Sequence, residues 1–250
     1  MTVRILLAEL RNIRTMKGAY IVTSEIITQW NNAAPQYFSS QESSEFVQIN
    51  KRVVRCRFNK LTNEKVLDLG CGYGYYTDYF RTIGGRVVGC DGSEEMLSIA
   101  RTQYPLCVFE YADIGNPFVY SDEEYDIVFC NQVLMDIENL SDLIHEIYRI
   151  TNHNGIFYMS IVHPAFYDCE WEKDPTGFRK RKIIERYLSE YSFDNEYWGK
   201  TKHFHRTIST YINTIIRSGF RLVCLDEPKS YDGKTKSDEF PLFLFAEFKK

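Results

Sequence analysis

The segment VLDLGCGYG, Val66 to Gly74, limits what this chain can fold into more than any other. Residues of strand character, Val66 to Leu69, run into glycines at 70, 72 and 74 and then into a helix that begins near Tyr75. Without a Cβ, glycine lets such a loop turn sharply and bring its backbone against a ligand. The nicotinamide fingerprint GxGxxG carries its third glycine in sixth place and a pyrophosphate at the helix N-terminus. Here the third glycine comes one place early, at Gly74, and Tyr75 takes the sixth. The pattern argues against a dinucleotide and for a ligand with no phosphate at this point. A second apolar run, VVGCD, ends at Asp91, 21 residues after Gly70. A carboxylate at that strand tip can accept hydrogen bonds from both hydroxyls of a ribose.

From Lys65 onward, short apolar runs alternate with helical patterns, as in a parallel sheet with crossover helices. The predicted strands are Lys65–Leu69, Arg86–Cys90, Cys107–Tyr111, Tyr125–Cys130, Ile156–Val162, Arg221–Leu225 and Leu242–Phe248. Ser93, Ser141 and Ser209 are predicted to open the intervening helices. Two segments fall outside the alternation. Residues 1–60 read as a mainly helical lid segment, and 61–250 as the main domain. Residues 165–204 read as a helical, aromatic cap inserted after the fifth strand, over the carboxyl edge of the sheet. Met16 is a second candidate start, which would leave residues 1–15 a loosely attached extension.

The net charge of −4 offers no basic field for nucleic acid. The one dense basic run, Arg179 to Arg186, reads either as a solvated helix face or as a partner for an anionic group on a substrate. Seven cysteines without a CxxC pair suggest a reducing compartment, with neither disulfides nor zinc. No apolar run is long enough to span a membrane, and the start is too charged for a signal peptide. A cytoplasmic monomer or homodimer is expected.

Taken together, LDLGCGYG, VVGCDGS, YADI and YDIVFCNQVLMDI resemble the motifs of class I S-adenosylmethionine-dependent methyltransferases, over residues 65–163. The resemblance implies a Rossmann-like α/β fold, with a seven-stranded, mostly parallel sheet, an antiparallel last strand and helices on both faces. It implies S-adenosyl-L-methionine as cofactor and S-adenosyl-L-homocysteine as product. Gly70, Cys71 and Gly72 would flank the methionine part, with Asp68 ordering the loop. Asp91 would hold the ribose, and Gly92 and Met96 would sit beside the adenine. Asp113 would reach the adenine amino group, with Ala112 and Ile114 on the ring. Asn131 and Gln132 would line the methionine end. Upstream, Trp30, Ala34 and Tyr37 keep the W-x-x-x-A-x-x-Y spacing that precedes this fold in many small-molecule members, and Tyr37 would close over the methionine end.

The motifs of DNA amino- and cytosine-5-methylating enzymes are absent, which leaves a small-molecule acceptor as the favoured class. SIVHPAF and HRTISTY resemble patterns of a bacterial small-molecule branch. His163 and His205 are the candidate bases for taking a proton from a nitrogen or oxygen acceptor. Arg206, Tyr197 and Trp198 are candidate acceptor contacts. Two other readings are methylation of a tRNA or protein, and a non-catalytic cofactor-binding partner.

Overall fold

The computed structural model describes residues 24–41 and 44–250. The proposed extension at 1–15 and the second start at Met16 lie outside the described residues, as does part of the 1–60 lid segment. Helices α1 (Glu25–Ser40) and α2 (Glu45–Arg57) lead into an alternating core. Its elements are β1 (Lys65–Leu69), α3 (Tyr75–Thr82), β2 (Arg86–Asp91), α4 (Glu94–Gln103), β3 (Val108–Tyr111) and β4 (Tyr125–Asn131). A 3₁₀ turn at Leu134–Asp136, α5 (Leu140–Ile150) and β5 (Thr151–Val162) follow. Four short strands come next: β6 (Glu170–Lys173), β7 (Arg179–Ile183), β8 (Tyr191–Asn195) and β9 (Thr201–His205). The chain closes with α6 (Ile208–Arg217), β10 (Arg221–Asp226) and β11 (Phe243–Lys249).

The seven-stranded sheet has the order β10-β11-β5-β4-β1-β2-β3. β1 to β5 pair in parallel, while β11 is inserted antiparallel between β5 and β10. Strand residues alternate between two cores, as a period of two requires. Val128, Phe157 and Met159 face α5 and α6 on one side, with Tyr211 and Ile215. Ile127, Phe129 and Tyr158 face α2 and α3 on the other, with Val54, Phe58 and Phe80. Ser93 caps α4 as expected, its Oγ accepting from the Met96 amide. The caps of α5 and α6 lie two residues earlier than predicted, at Asn139 and Thr207.

The insertion is not helical, which corrects the sequence reading. β6 pairs with β7 and β8 with β9, in two antiparallel hairpins. The physical reason lies in the pattern 201–205, where Thr201, His203 and His205 are buried and the residues between them are half-exposed. That is a two-residue period, and the long rings of 187–198 had masked it. Gly177, at φ +86°, supplies a left-handed residue in the turn between β6 and β7.

Candidate active site

The glycine loop is held from three sides. Gly70 has φ +72°, and a Cβ there would lie 2.4 Å from Val133 Cγ2. At Gly74, φ +87°, a Cβ would lie 2.6 Å from the Phe109 ring. The amides of Gly70 and Cys71 both donate to the Cys90 carbonyl, at 2.8 and 2.9 Å, which pins the loop to β2. Asp68, buried at the end of β1, accepts from Thr77 Oγ1 in the first turn of α3 at 2.6 Å. Burial pushes its carboxyl up to about 7. It orders the loop from beneath.

Asp91 stands at the tip of β2. Its Oδ2 accepts from the Gly72 amide and its Oδ1 from the Ser93 amide, both at 2.8 Å. Burial raises its pKa in spite of those bonds. Each carboxylate oxygen can accept more than one hydrogen bond, so both remain able to receive a hydroxyl. Asp91 opens onto a cavity of about 710 Å³ together with Gly92, Met96, Asp113 and Ile114. That volume is in the range of small-molecule sites. Ala112 is not on its wall: the Ala112 amide donates to the Asp91 carbonyl and its side chain packs on the core. Asp113 has its two oxygens engaged by the Gly115 amide and the Asn116 side chain.

A second cavity, also about 710 Å³, lies on the other side of the loop. The two share one wall: Trp30, Tyr37, Gly70, Gly72, Asn131 and Gln132 line both. Ser160 fixes the strand side of that wall, donating to Asn131 Oδ1 at 2.6 Å and accepting from Gln132 Nε2 at 2.9 Å. On the helix side, Tyr37 packs edge-on to Trp30 and to Trp198, with ring centroids 5.5 and 5.0 Å away. Burial, together with the carboxyls of Asp136 and Asp91, pushes the Tyr37 hydroxyl up. Cys71 lines the second cavity.

Three of the predicted acceptor-side residues are not on this wall. His163 is buried, but it lines neither large cavity. Its Nδ1 accepts from the Ala165 amide at 3.2 Å and its Nε2 faces Glu227 at 2.6 Å, so both nitrogens are occupied. His205 donates from Nε2 to the Tyr187 carbonyl and stacks on Tyr191 at 4.6 Å. Arg206 donates to the carbonyls of Ile137 and Glu138, at 2.8 and 2.6 Å, and so clamps the 3₁₀ turn to β9. None of the three lines either large cavity, and the second guanidinium nitrogen of Arg206, Nη1, is buried without a partner. Tyr197 and Trp198 do line the second cavity; Tyr197 is exposed at its rim, while the Trp198 indole N–H is buried without a partner.

In their place the structure presents His203 and Asp136. His203 lies on the same face of β9 as His205, one pleat away, and lines the second cavity. It is 2% exposed, and neither ring nitrogen has a hydrogen-bond partner. Nε2 lies 3.4 Å from Asp136 Oδ1, outside hydrogen-bond geometry. Burial lowers the imidazole to about 4 and pushes the Asp136 carboxyl well up. Asp136 Oδ2 accepts from Trp30 Nε1 at 3.1 Å and Asp136 lines the first cavity, so the pair bridges the two spaces. Buried polar atoms without partners are rare in folded chains, and their cluster between the two cavities is what an incoming polar ligand would satisfy. The sequence reading names His205 and not His203; the alternation along 201–205 is the signal that both share a face.

Residues 67–159 match the family of methyltransferase domains. The chain is 26% identical to a trans-aconitate 2-methyltransferase of Shigella flexneri, over 78% of this chain and 81% of that one. An S-adenosylmethionine-dependent methyltransferase from Mesorhizobium loti shares the fold with a TM-score of 0.70 and 24% identity, over 84% of this chain and 100% of the other. A solved structure from Listeria monocytogenes, described as a putative S-adenosylmethionine-dependent methyltransferase, is 29% identical with a TM-score of 0.65, over 76% and 92%.

Proposed function

Since this chain is a class I S-adenosylmethionine-dependent methyltransferase, we propose that it methylates a nitrogen or oxygen of a small molecule held in the second cavity. The observation that carries this reading is the wall common to the two cavities, which brings an acceptor beside the glycine loop. Similarity to a methyltransferase named for trans-aconitate supports a small acceptor.

The residues of the first cavity fit the cofactor. Asp91 offers two backbone-ordered oxygens to the ribose hydroxyls, Met96 and Ile114 offer apolar walls to the adenine, and Asp113 lies at that end. Gly70 and Gly72 leave room for the methionine part, and Tyr37 covers it from α1. When bound, S-adenosylmethionine supplies an activated methyl carbon whose bond to sulfur breaks as the acceptor's bond to it forms. The protein's own task is then alignment, which can supply ~7–11 kcal/mol. Asn131, Gln132 and Tyr37 hold the shared wall in place, while α1 and the hairpins exclude water. His203, kept neutral by burial and positioned beside Asp136, receives the acceptor's proton.

Incubation with a metabolite extract and methyl-labelled cofactor tests this. We expect a small molecule to gain one methyl group. His203→Ala should lower turnover by about 10²–10⁴-fold with S-adenosylhomocysteine affinity unchanged, and His163→Ala should leave turnover per folded molecule intact. Label entering only tRNA or protein would contradict the proposal.

A further inference from the structure

The basic run at 179–186 is not a helix face. Its first part is strand β7, and a bulge decides where its charges point. Pairing runs Glu170↔Ile183, Trp171↔Lys182, Glu172↔Arg181 and then Lys173↔Arg179, which leaves Lys180 as an extra residue. An added residue re-aims the side chains beyond it. Arg179 and Lys182, three apart, thus share a face with Trp171 and Lys173, and all four line the second cavity. Arg181 faces outward and pairs with Glu172 at 3.5 Å.

The loop before β11 adds another cation. The Arg179 amide donates to the Thr235 carbonyl at 3.2 Å and the Ser237 amide donates to the Arg179 carbonyl at 2.9 Å, which docks Lys236 beside β7. Lys236 Nζ lies 5.2 Å from the centroid of Tyr231, and Lys182 Nζ lies 5.9 Å from the same ring and 4.7 Å from Trp171. Two ammonium groups therefore crowd one ring. Burial, with the Lys236 charge, lowers Lys182 to about 8. Among the described residues, no carboxylate forms an ion pair with Lys173, Arg179, Lys182 or Lys236, although Arg181 on the outer face has one. The carboxyls on the cavity wall are the exposed Glu170 and Asp68, the latter committed to Thr77. Like charges brought together without a counter-charge disfavour the charged state, and an anion reverses that penalty.

We propose that the acceptor is anionic, with carboxylate or phosphate oxygens held by Arg179, Lys182 and Lys236. Arginine can bind such a group through two parallel N–H bonds while the lysines act as point charges. The proposal deepens the methyl-transfer reading and rests on it for what becomes of the bound anion.

Calorimetry on full-length protein saturated with S-adenosylhomocysteine tests it, with citrate and inorganic phosphate as probes. We expect at least one probe to bind, more weakly as salt rises, and to lose about tenfold or more in affinity in the Arg179→Ala/Lys182→Ala variant. Arg181→Ala, on the outer face, should bind as the wild type does. Citrate favoured over phosphate assigns a carboxylate, and the reverse a phosphate. Should the double variant lose S-adenosylhomocysteine binding, Lys182→Gln, which keeps most of the stem, gives the same comparison. Absence of binding by both anions, or equal affinity in wild type and variant, overturns the proposal. Failure of wild type to bind S-adenosylhomocysteine would instead count against the methyl-transfer reading.

Discussion

Three histidines of the acceptor region, His163, His203 and His205, differ in what their ring nitrogens meet. His163 spends both on a backbone amide and a carboxylate, and His205 donates from Nε2 to a carbonyl. His203 has none of these, and burial takes its pKa from 6.5 to about 4. The ring is therefore uncharged at neutral pH, the state a proton acceptor needs. The same shift has a consequence for stability. Between about pH 4 and 6.5 the unfolded chain holds a proton on this side chain that the folded chain does not. Stability from this group is thus complete above pH 6.5 and is lost as pH falls toward 4. Urea unfolding of His203→Gln should show the variant gaining on the wild type as pH drops through that window, with a constant difference above it. Parallel curves throughout would mean that burial leaves the pKa of this imidazole where it is in the unfolded chain.

At the level of elements, Arg206 acts as a joint. Its guanidinium ties β9 to the turn that carries Asp136, and so sets the spacing of the His203–Asp136 pair. Arg206→Ala leaves two carbonyls without their donor, and we predict a loss of about 3 kcal/mol in urea unfolding. A rise in acceptor KM with stability unchanged would restore Arg206 to the acceptor site. The sheet elements were readable because buried strands have distinctive apolar runs: Lys65–Leu69 is observed at its predicted bounds, and the others shift mostly at their ends. The hairpins were not, since β6 to β9 are short, half-exposed and rich in charged and aromatic side chains, so their alternation is weak. The bulge at Lys180 breaks the period outright, and no local pattern announces it.

For the whole molecule, the cavity proposed for the cofactor was legible because it is built from contiguous motifs, each a strand tip with its following loop. Asp68, Gly70, Gly72, Asp91, Met96, Asn131 and Gln132 all reach the cavity walls. The second cavity is assembled from α1, α2, β6, β7, β9 and the 227–242 loop, whose juxtaposition depends on long-range packing that sequence spacing does not encode. Trp30 meeting Asp136 across 106 residues is an instance. Titrating S-adenosylhomocysteine and NAD into wild type and Asp91→Ala decides whether the loop and Asp91 hold an adenosyl sulfur compound or a dinucleotide. We expect S-adenosylhomocysteine to bind the wild type, NAD not to bind, and the variant to bind S-adenosylhomocysteine at least about tenfold more weakly for want of its charged acceptor. Binding of NAD in preference, or equal affinity of wild type and variant for S-adenosylhomocysteine, would overturn this assignment of the glycine loop and Asp91.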